Sequence, residues 1–192
     1  MSRDSYSVMI VGVGGQGTLL TSRILGGVFS GAGYDVKVSE VHGMSQRGGS
    51  VVTYVRCGKV VYSPMIEEGE ADFILAFEEL EAARYLPYLR PDGTMIVNLL
   101  RITPATVGEG GAAYPEKIIQ KIQQAGAKVI ALDATALAKT AGNVKAFNVA
   151  ILGKLARLMD FSYEEWLAAL TDSVPPTFIE VNRKAFDLAY NE

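Results

Sequence analysis

Two short segments hold the residues whose types and spacing could do chemistry. The first is "GVGGQG", Gly12 to Gly17, where Gly12, Gly14 and Gly17 satisfy G-x-G-x-x-G with Gly15 and Gln16 between them. An apolar run, Ser7 to Gly12, precedes it and a helical pattern follows from Thr18. Backbone N–H groups and the positive end of a helix would therefore converge on an anion. The second segment is "EVHGMSQRGGSV", which sets His42, Ser45, Gln46 and Arg47 among Gly43, Gly48 and Gly49. Arg47 offers a planar fork for a phosphate or carboxylate, and His42, the single histidine, offers a proton acceptor or donor near neutral pH.

The residues alone leave the role of the glycine turn open. It can serve close strand-to-helix packing with nothing bound, or hold a phosphate or pyrophosphate, or form part of an NAD site. The last needs an acidic residue about 20 positions further on to grip a ribose. Glu40 is the nearest candidate, but it runs into the second glycine-rich loop rather than a helix. That loop is either a ligand site or a strand end in which Arg47 caps and His42 is a satisfied loop side chain. A Ser45 and His42 nucleophilic pair lacks an orienting acid and a nucleophile elbow.

These segments need a scaffold, and the rest of the chain supplies one. Leu19, Leu20, Ile24, Leu25 and Val28 recur at helical spacing, and a second strand follows from Val36 to Val41, parallel to the first. "GGSVVTYVRCGKVVYSP" reads as a β-hairpin turning at Cys57-Gly58-Lys59. "ADFILAF" and "TMIVNLL" are buried strands flanking a short helix, "EELEAARYLPYL", and Leu100 to Ala113 reads as an exposed loop. "YPEKIIQKIQQAGAKVIALDA" repeats helix, glycine stop and strand, with Pro115 at the helix start and Gly126 at its end. From Ala134 the pattern is helical. Asn143 is suited to an N-cap, and Trp166, Phe178 and Phe186 are suited to a core or subunit interface. The expected fold is a Rossmann-like three-layer α/β sandwich with a mostly parallel sheet, one β-hairpin insertion and a helical C-terminal tail. The sheet core spans about 5–133 and the tail about 134–192. In open sheets of this kind ligands gather at the C-terminal rim of the strands, which brings both segments together.

Composition narrows the chemistry. The chain has 192 residues, 49% apolar and 20% charged, which suits one well-buried domain. A net charge of −3, from 18 basic and 21 acidic residues without blocks, does not advertise a nucleic-acid face. No run approaches the ~18 apolar residues of a spanning helix, so a cytoplasmic chain without a membrane partner is expected. One cysteine, Cys57, excludes an internal disulfide and a four-thiolate iron–sulfur cluster, and with one histidine it excludes an ordinary structural zinc site. Any redox chemistry must borrow its electron carriers. Cys57, at a predicted turn, gets no role.

The stretches "GVGGQGTLLTSRIL", "EVHGMSQRGGSVVTYVR", "ADFILAFEELEAARYL" and "NVKAFNVAILGKLA" together resemble the gamma-type subunits of the 2-oxoacid:ferredoxin oxidoreductase family. Within it they are most similar to the beta subunits of indolepyruvate ferredoxin oxidoreductases. The pairing of the glycine turn with His-Gly-x-Ser-Gln-Arg-Gly-Gly carries the specificity. The resemblance spans nearly the whole chain and implies one pyruvate/ketoisovalerate oxidoreductase gamma-type domain over residues 1–192. It further implies an enzyme subunit, inactive alone, that works in oxidative decarboxylation of indolepyruvate or another aryl pyruvate to an acyl-CoA with reduction of ferredoxin. Thiamine diphosphate and the iron–sulfur clusters would belong to a large partner subunit, through which ferredoxin is met, and this chain would bind no metal. Its own part would be to enclose the thiamine site and help place coenzyme A. In that role Arg47 would meet a phosphate or the substrate carboxylate, with His42 as the other candidate for catalysis. Gly12, Gly14, Gly15, Gln16, Gly17, Ser45, Gln46, Gly48 and Gly49 would face the ligand. Three alternatives are a structural clamp without catalytic side chains, an NAD-dependent Rossmann-type enzyme, and an adenylating enzyme. The last characteristically uses more cysteines than this chain has.

Overall fold

A computed structural model describes residues 3–43, 49–103 and 113–192. A six-stranded sheet is built from β1 (Ser5–Val13), β2 (Asp35–His42), β3 (Ser50–Gly58), β4 (Ala71–Ala76), β5 (Leu89–Asn98) and β6 (Lys128–Leu132). Helices α1 (Thr18–Gly31), α2 (Glu79–Tyr85) and α3 (Ile118–Gln124) are interleaved with them, and α4 (Ala134–Ala141), α5 (Phe147–Ala156), α6 (Tyr163–Ser173) and α7 (Ile179–Tyr190) follow.

The strand order is β2-β3-β1-β4-β5-β6, with β1, β4, β5 and β6 parallel and β3 antiparallel to both β1 and β2. β1 and β2 thus run in the same direction, as expected, but β3 lies between them. The expected hairpin exists at a different place. It is formed by β2 and β3, in unbroken register from Asp35↔Gly58 to His42↔Val51, and not by a turn at Cys57-Gly58-Lys59. The reason is ladder occupancy: β3 is paired on both sides, by β1 and β2, so a returning Val60–Val61 run would have no edge to join. Cys57 accordingly sits inside β3 and is fully buried rather than in a turn.

Alternation along β1 separates two cores. Val8 and Ile10 face α1 and the C-terminal helices, whereas Met9 and Val11 face α2 and α3. The larger core takes Ile24, Leu25, Val28 and Phe29 from α1, Ile151, Leu152 and Leu155 from α5, Trp166 from α6 and Phe186 from α7. Each such side chain contributes about 1.5–3 kcal/mol on burial. The helices after residue 134 therefore form a layer on the sheet. Gly153 permits their closest approach, since a Cβ there would stand 2.3 Å from the Phe186 carbonyl oxygen. Trp166 and Phe186 are core, as expected, while Phe178 is about half exposed. Asn143 caps a short 3-10 turn, its side chain accepting the Lys145 N–H at 3.0 Å. Gly126, at φ +90°, follows the end of α3. Among the described residues no helix is long and apolar enough to cross a membrane.

Candidate functional site

The C-terminal rim of β1 carries the glycine turn. Gly15 (φ +91°) and Gly17 (φ +85°) occupy the left-handed region that side chains resist, and α1 starts at Thr18 without a side-chain cap. The turn satisfies much of its own hydrogen bonding. Gln16 folds back so that its Oε1 accepts the Val13 N–H at 2.6 Å, while its Nε2 lies 3.5 Å from the Phe77 carbonyl oxygen. The Gln16 N–H donates to the Val13 carbonyl at 3.3 Å, and the Gly14 N–H donates to the Gly49 carbonyl at 3.0 Å. Buried Asn148, near the start of α5, donates to the Gly17 carbonyl at 3.2 Å. A Cβ on Gly17 would stand 2.3 Å from the Asn148 amide nitrogen, and one on Gly12 would stand 2.5 Å from Gln16 Oε1. Over Gly15 a Cβ would meet nothing within 4 Å. A phosphate approaching this turn would find its open backbone at Gly15 and not at Val13, Gly14 or Gln16.

Beside the turn, β2 ends in a carboxylate and imidazole pair. Glu40 Oε2 accepts the hydroxyls of Thr18, at the start of α1, and Thr53, in β3, each at 2.8 Å. Glu40 Oε1 stands 2.6 Å from His42 Nε2. The Glu40 side chain is 9% exposed and the His42 side chain 62%. Glu40 is thus spent inside the protein, bolting β2 to β3 and α1. That is the physical case against a ribose-gripping acid, since a carboxylate holding three internal donors has little left for a ligand.

The rim beyond β4 holds a third group. Glu78, 1% exposed, caps α2 by accepting the Leu80 and Glu81 N–H groups at 2.6 and 3.0 Å. Its other oxygen accepts the Ile102 N–H at 3.0 Å and the Tyr114 hydroxyl at 2.5 Å. Burial, reinforced by Glu78, pushes the Tyr114 phenol above its ordinary range. Glu79 pairs with Arg101 at 3.0 Å, and Glu81 accepts from Ser50 and pairs with Arg84 at 3.2 Å. The α2 start therefore fastens β3 and the segments after β5 to the rim, and its carboxylates are already matched.

Pyruvate ferredoxin/flavodoxin oxidoreductase is the family whose sequence profile matches residues 7–192. The chain belongs to that family. It is 45% identical over 190 residues to an indolepyruvate oxidoreductase subunit IorB from Thermococcus kodakarensis, covering 95% of this chain and 93% of that one. It is 46% identical over 188 residues to the subunit of the same name from Pyrococcus horikoshii, with the same coverage. The gamma subunit of a keto/oxoacid ferredoxin oxidoreductase from Geobacter sulfurreducens has the same fold, with a TM-score of 0.72 at 23% identity over 97% of this chain and 96% of that chain. A 2-oxoglutarate:ferredoxin oxidoreductase chain from Magnetococcus marinus, solved with 2-oxoglutarate, coenzyme A and succinyl-CoA, shares the fold at a TM-score of 0.75 and 18% identity. The match covers 99% of this chain and 31% of that longer one.

Membership in the oxidoreductase family bears out the resemblance read from the motif segments, and the sheet bears out the expected fold class. Of the expected site residues, Gly12 lies in β1 one position before its end, Gly14 to Gly17 form the turn, His42 ends β2, and Gly49 precedes β3. The Gly14 to Gly49 hydrogen bond joins the glycine turn to the second segment. Ser45, Gln46, Arg47 and Gly48 lie outside the described residues, as does most of the expected Leu100–Ala113 loop. The sequence reading missed Glu40 as a structural hub, Thr18 and Thr53 as its donors, Asn148 as the partner of Gly17, and the buried Glu78. All of them fall in the stretches that resemble the family, and Glu40 stood out as a ribose-acid candidate, but residue type alone gave none of them these partners.

Proposed function

We propose that the chain is the subunit of an indolepyruvate-type 2-oxoacid:ferredoxin oxidoreductase that lacks clusters of its own. In this reading it closes over the thiamine diphosphate site of a large partner subunit and helps place coenzyme A. The observation that carries it is the junction of the two motif segments at one rim, through the Gly14 N–H to Gly49 carbonyl bond and the neighbouring Glu40 and His42 pair. Thiamine diphosphate, held by the partner, supplies the ylid and the electron sink for decarboxylation. This chain supplies enclosure, water exclusion and placement, which make the acyl transfer effectively intramolecular. The open face at Gly15 and the N-terminus of α1 fit one phosphate of coenzyme A, with the Arg47 guanidinium as the charged partner. Residues 1–192 act as one unit, the helices after residue 134 included. Ferredoxin is met through the partner, and the chain alone has no turnover.

The test is anaerobic co-expression with the large subunit, following viologen reduction by indolepyruvate with and without coenzyme A, against each subunit alone. Coenzyme A-dependent turnover in the pair only is the expected result. Turnover by the large subunit alone at the same rate would defeat the reading. Arg47→Ala should raise the KM for coenzyme A or for the oxoacid about tenfold, corresponding to one charge-assisted hydrogen bond. The internal bonding of the turn favours a second reading, a clamp that contributes no side chain to chemistry. In that case Arg47→Ala and His42→Ala would leave both KM values and kcat unchanged in an intact pair.

A further inference from the structure

The Glu40 and His42 pair has an asymmetry that a simple surface contact lacks. Both threonine hydroxyls donate to the same oxygen, Glu40 Oε2, and neither has another acceptor that would divert it among the described residues. Thr53 is fully buried and Thr18 is 7% exposed, so this half of the carboxylate is fixed from within. Glu40 Oε1 is left aimed at His42 Nε2. A carboxylate oxygen with no proton of its own demands a donor there, which places the imidazole proton on Nε2 and makes Nδ1 the acceptor nitrogen. Strand pairing fixes both backbones: Glu40 sits opposite Thr53 and His42 opposite Val51 in an unbroken ladder.

We infer that Glu40 is a positioning residue that holds His42 as its Nε2–H tautomer and so presents Nδ1 as a hydrogen-bond acceptor to a thiol at the rim. Resting on the proposed role in coenzyme A placement, it assigns the thiol end of that ligand to His42. The single imidazole, held by the carboxylate, orients the S–H by accepting its hydrogen at Nδ1. Thr18 and Thr53 hold the carboxylate in turn, and through Thr18 the device is tied to the helix that begins at the glycine turn.

One histidine in the chain makes the test direct, because every imidazole nitrogen signal belongs to His42. Long-range 15N–1H spectra of the isolated wild-type chain at about pH 9, where a model imidazole is neutral, should show the Nε2–H tautomer. A predominant Nδ1–H tautomer would overturn the inference. Glu40→Gln keeps an oxygen for the two hydroxyls and turns an NH2 toward His42, so the tautomer should invert to Nδ1–H. In the assembled pair that variant should lose on the order of tenfold in kcat/KM for coenzyme A, with the oxoacid KM unchanged. Thr53→Val, which weakens the support without inverting the tautomer, should lose less. Wild-type kinetics in Glu40→Gln with the tautomer inverted would also overturn the inference. If the wild-type pair turned over with no dependence on coenzyme A, the proposed function would fail, while the tautomer measurement would still judge the positioning of His42.

Discussion

The glycine turn after β1 and the end of β2 sit side by side at one rim but handle polar groups in opposite ways. In the turn, Val13, Gly14, Gln16 and the Gly17 carbonyl find partners inside the protein, and Gln16 and Asn148 fill the space that the missing side chains leave. At the end of β2 the carboxylate is spent inwards while the imidazole it holds is 62% exposed. A motif that looks built for a ligand is thus largely consumed by packing, and a histidine that looks like a loop residue is held in one orientation. Glycine spacing reports where a backbone can come close; it does not report what fills the gap.

The largest expected effect breaks the turn. Gly17→Ala places a Cβ at φ +85° against the Asn148 amide and should lose about 2–4 kcal/mol in urea unfolding. Adding Asn148→Ala should recover part of that loss, giving a non-additive cycle; strict additivity would mean that the two residues do not meet. Gln16→Ala strands the Val13 N–H and should lose about 1–2 kcal/mol while leaving the KM for coenzyme A in the pair unaltered. If that KM rose, the Gln16 side chain would belong to the ligand site together with the open face at Gly15.

At the opposite end of the sheet, where Cys57 lies between Tyr6 and Val36, burial pushes its thiol from its ordinary 9.0 up to about 12. A raised value means that the folded chain keeps a proton the unfolded chain releases. Its contribution is therefore complete below about pH 9 and fades as pH climbs toward 12. The wild-type curve should fall more steeply than that of Cys57→Ala across that window, and the thiol should resist alkylation at pH 8 until the chain is unfolded. Parallel stability curves would contradict this. The smallest effect is expected at the exposed end of the comparison. His42→Ala should change unfolding stability by no more than about 0.5 kcal/mol, although it should lose on the order of tenfold in kcat/KM for coenzyme A in the pair. A large loss of stability instead would make His42 a structural prop for Glu40.

Much of the sheet was legible because local patterns decide it. β4 and the second half of β5, Thr94 to Asn98, are short, mostly apolar runs, and the helix from Thr18 keeps a regular apolar stripe, whereas the Pro91-Asp92-Gly93 turn signal lies inside β5. The hairpin was misplaced because "VVYSP" has strand propensity, whereas pairing depends on whether an edge is open, and β3 has none. The site was legible in outline only. Gly12 to Gly17 and His42 announced themselves by type, but Glu40 looked like a displaced ribose acid until Thr18 and Thr53 were seen to claim it. Likewise "EELEAARYL" reads only as a short helix, and nothing local shows that Glu78, Glu79 and Glu81 are all buried, because their partners come from Ser50, Arg101 and Tyr114 far along the chain.

The bond from Asn148 to the Gly17 carbonyl spans 131 positions of sequence. During synthesis the first strand, turn and helix leave the ribosome long before α5 exists to meet them, so the nascent N-terminal half carries an unclosed turn and an uncovered apolar stripe on α1. The larger core stays incomplete until α5 is made, and contacts this distant in sequence close slowly. A frameshift or truncation ahead of Asn148 would leave that apolar stripe uncovered, the kind of exposed surface that proteases and chaperones act on.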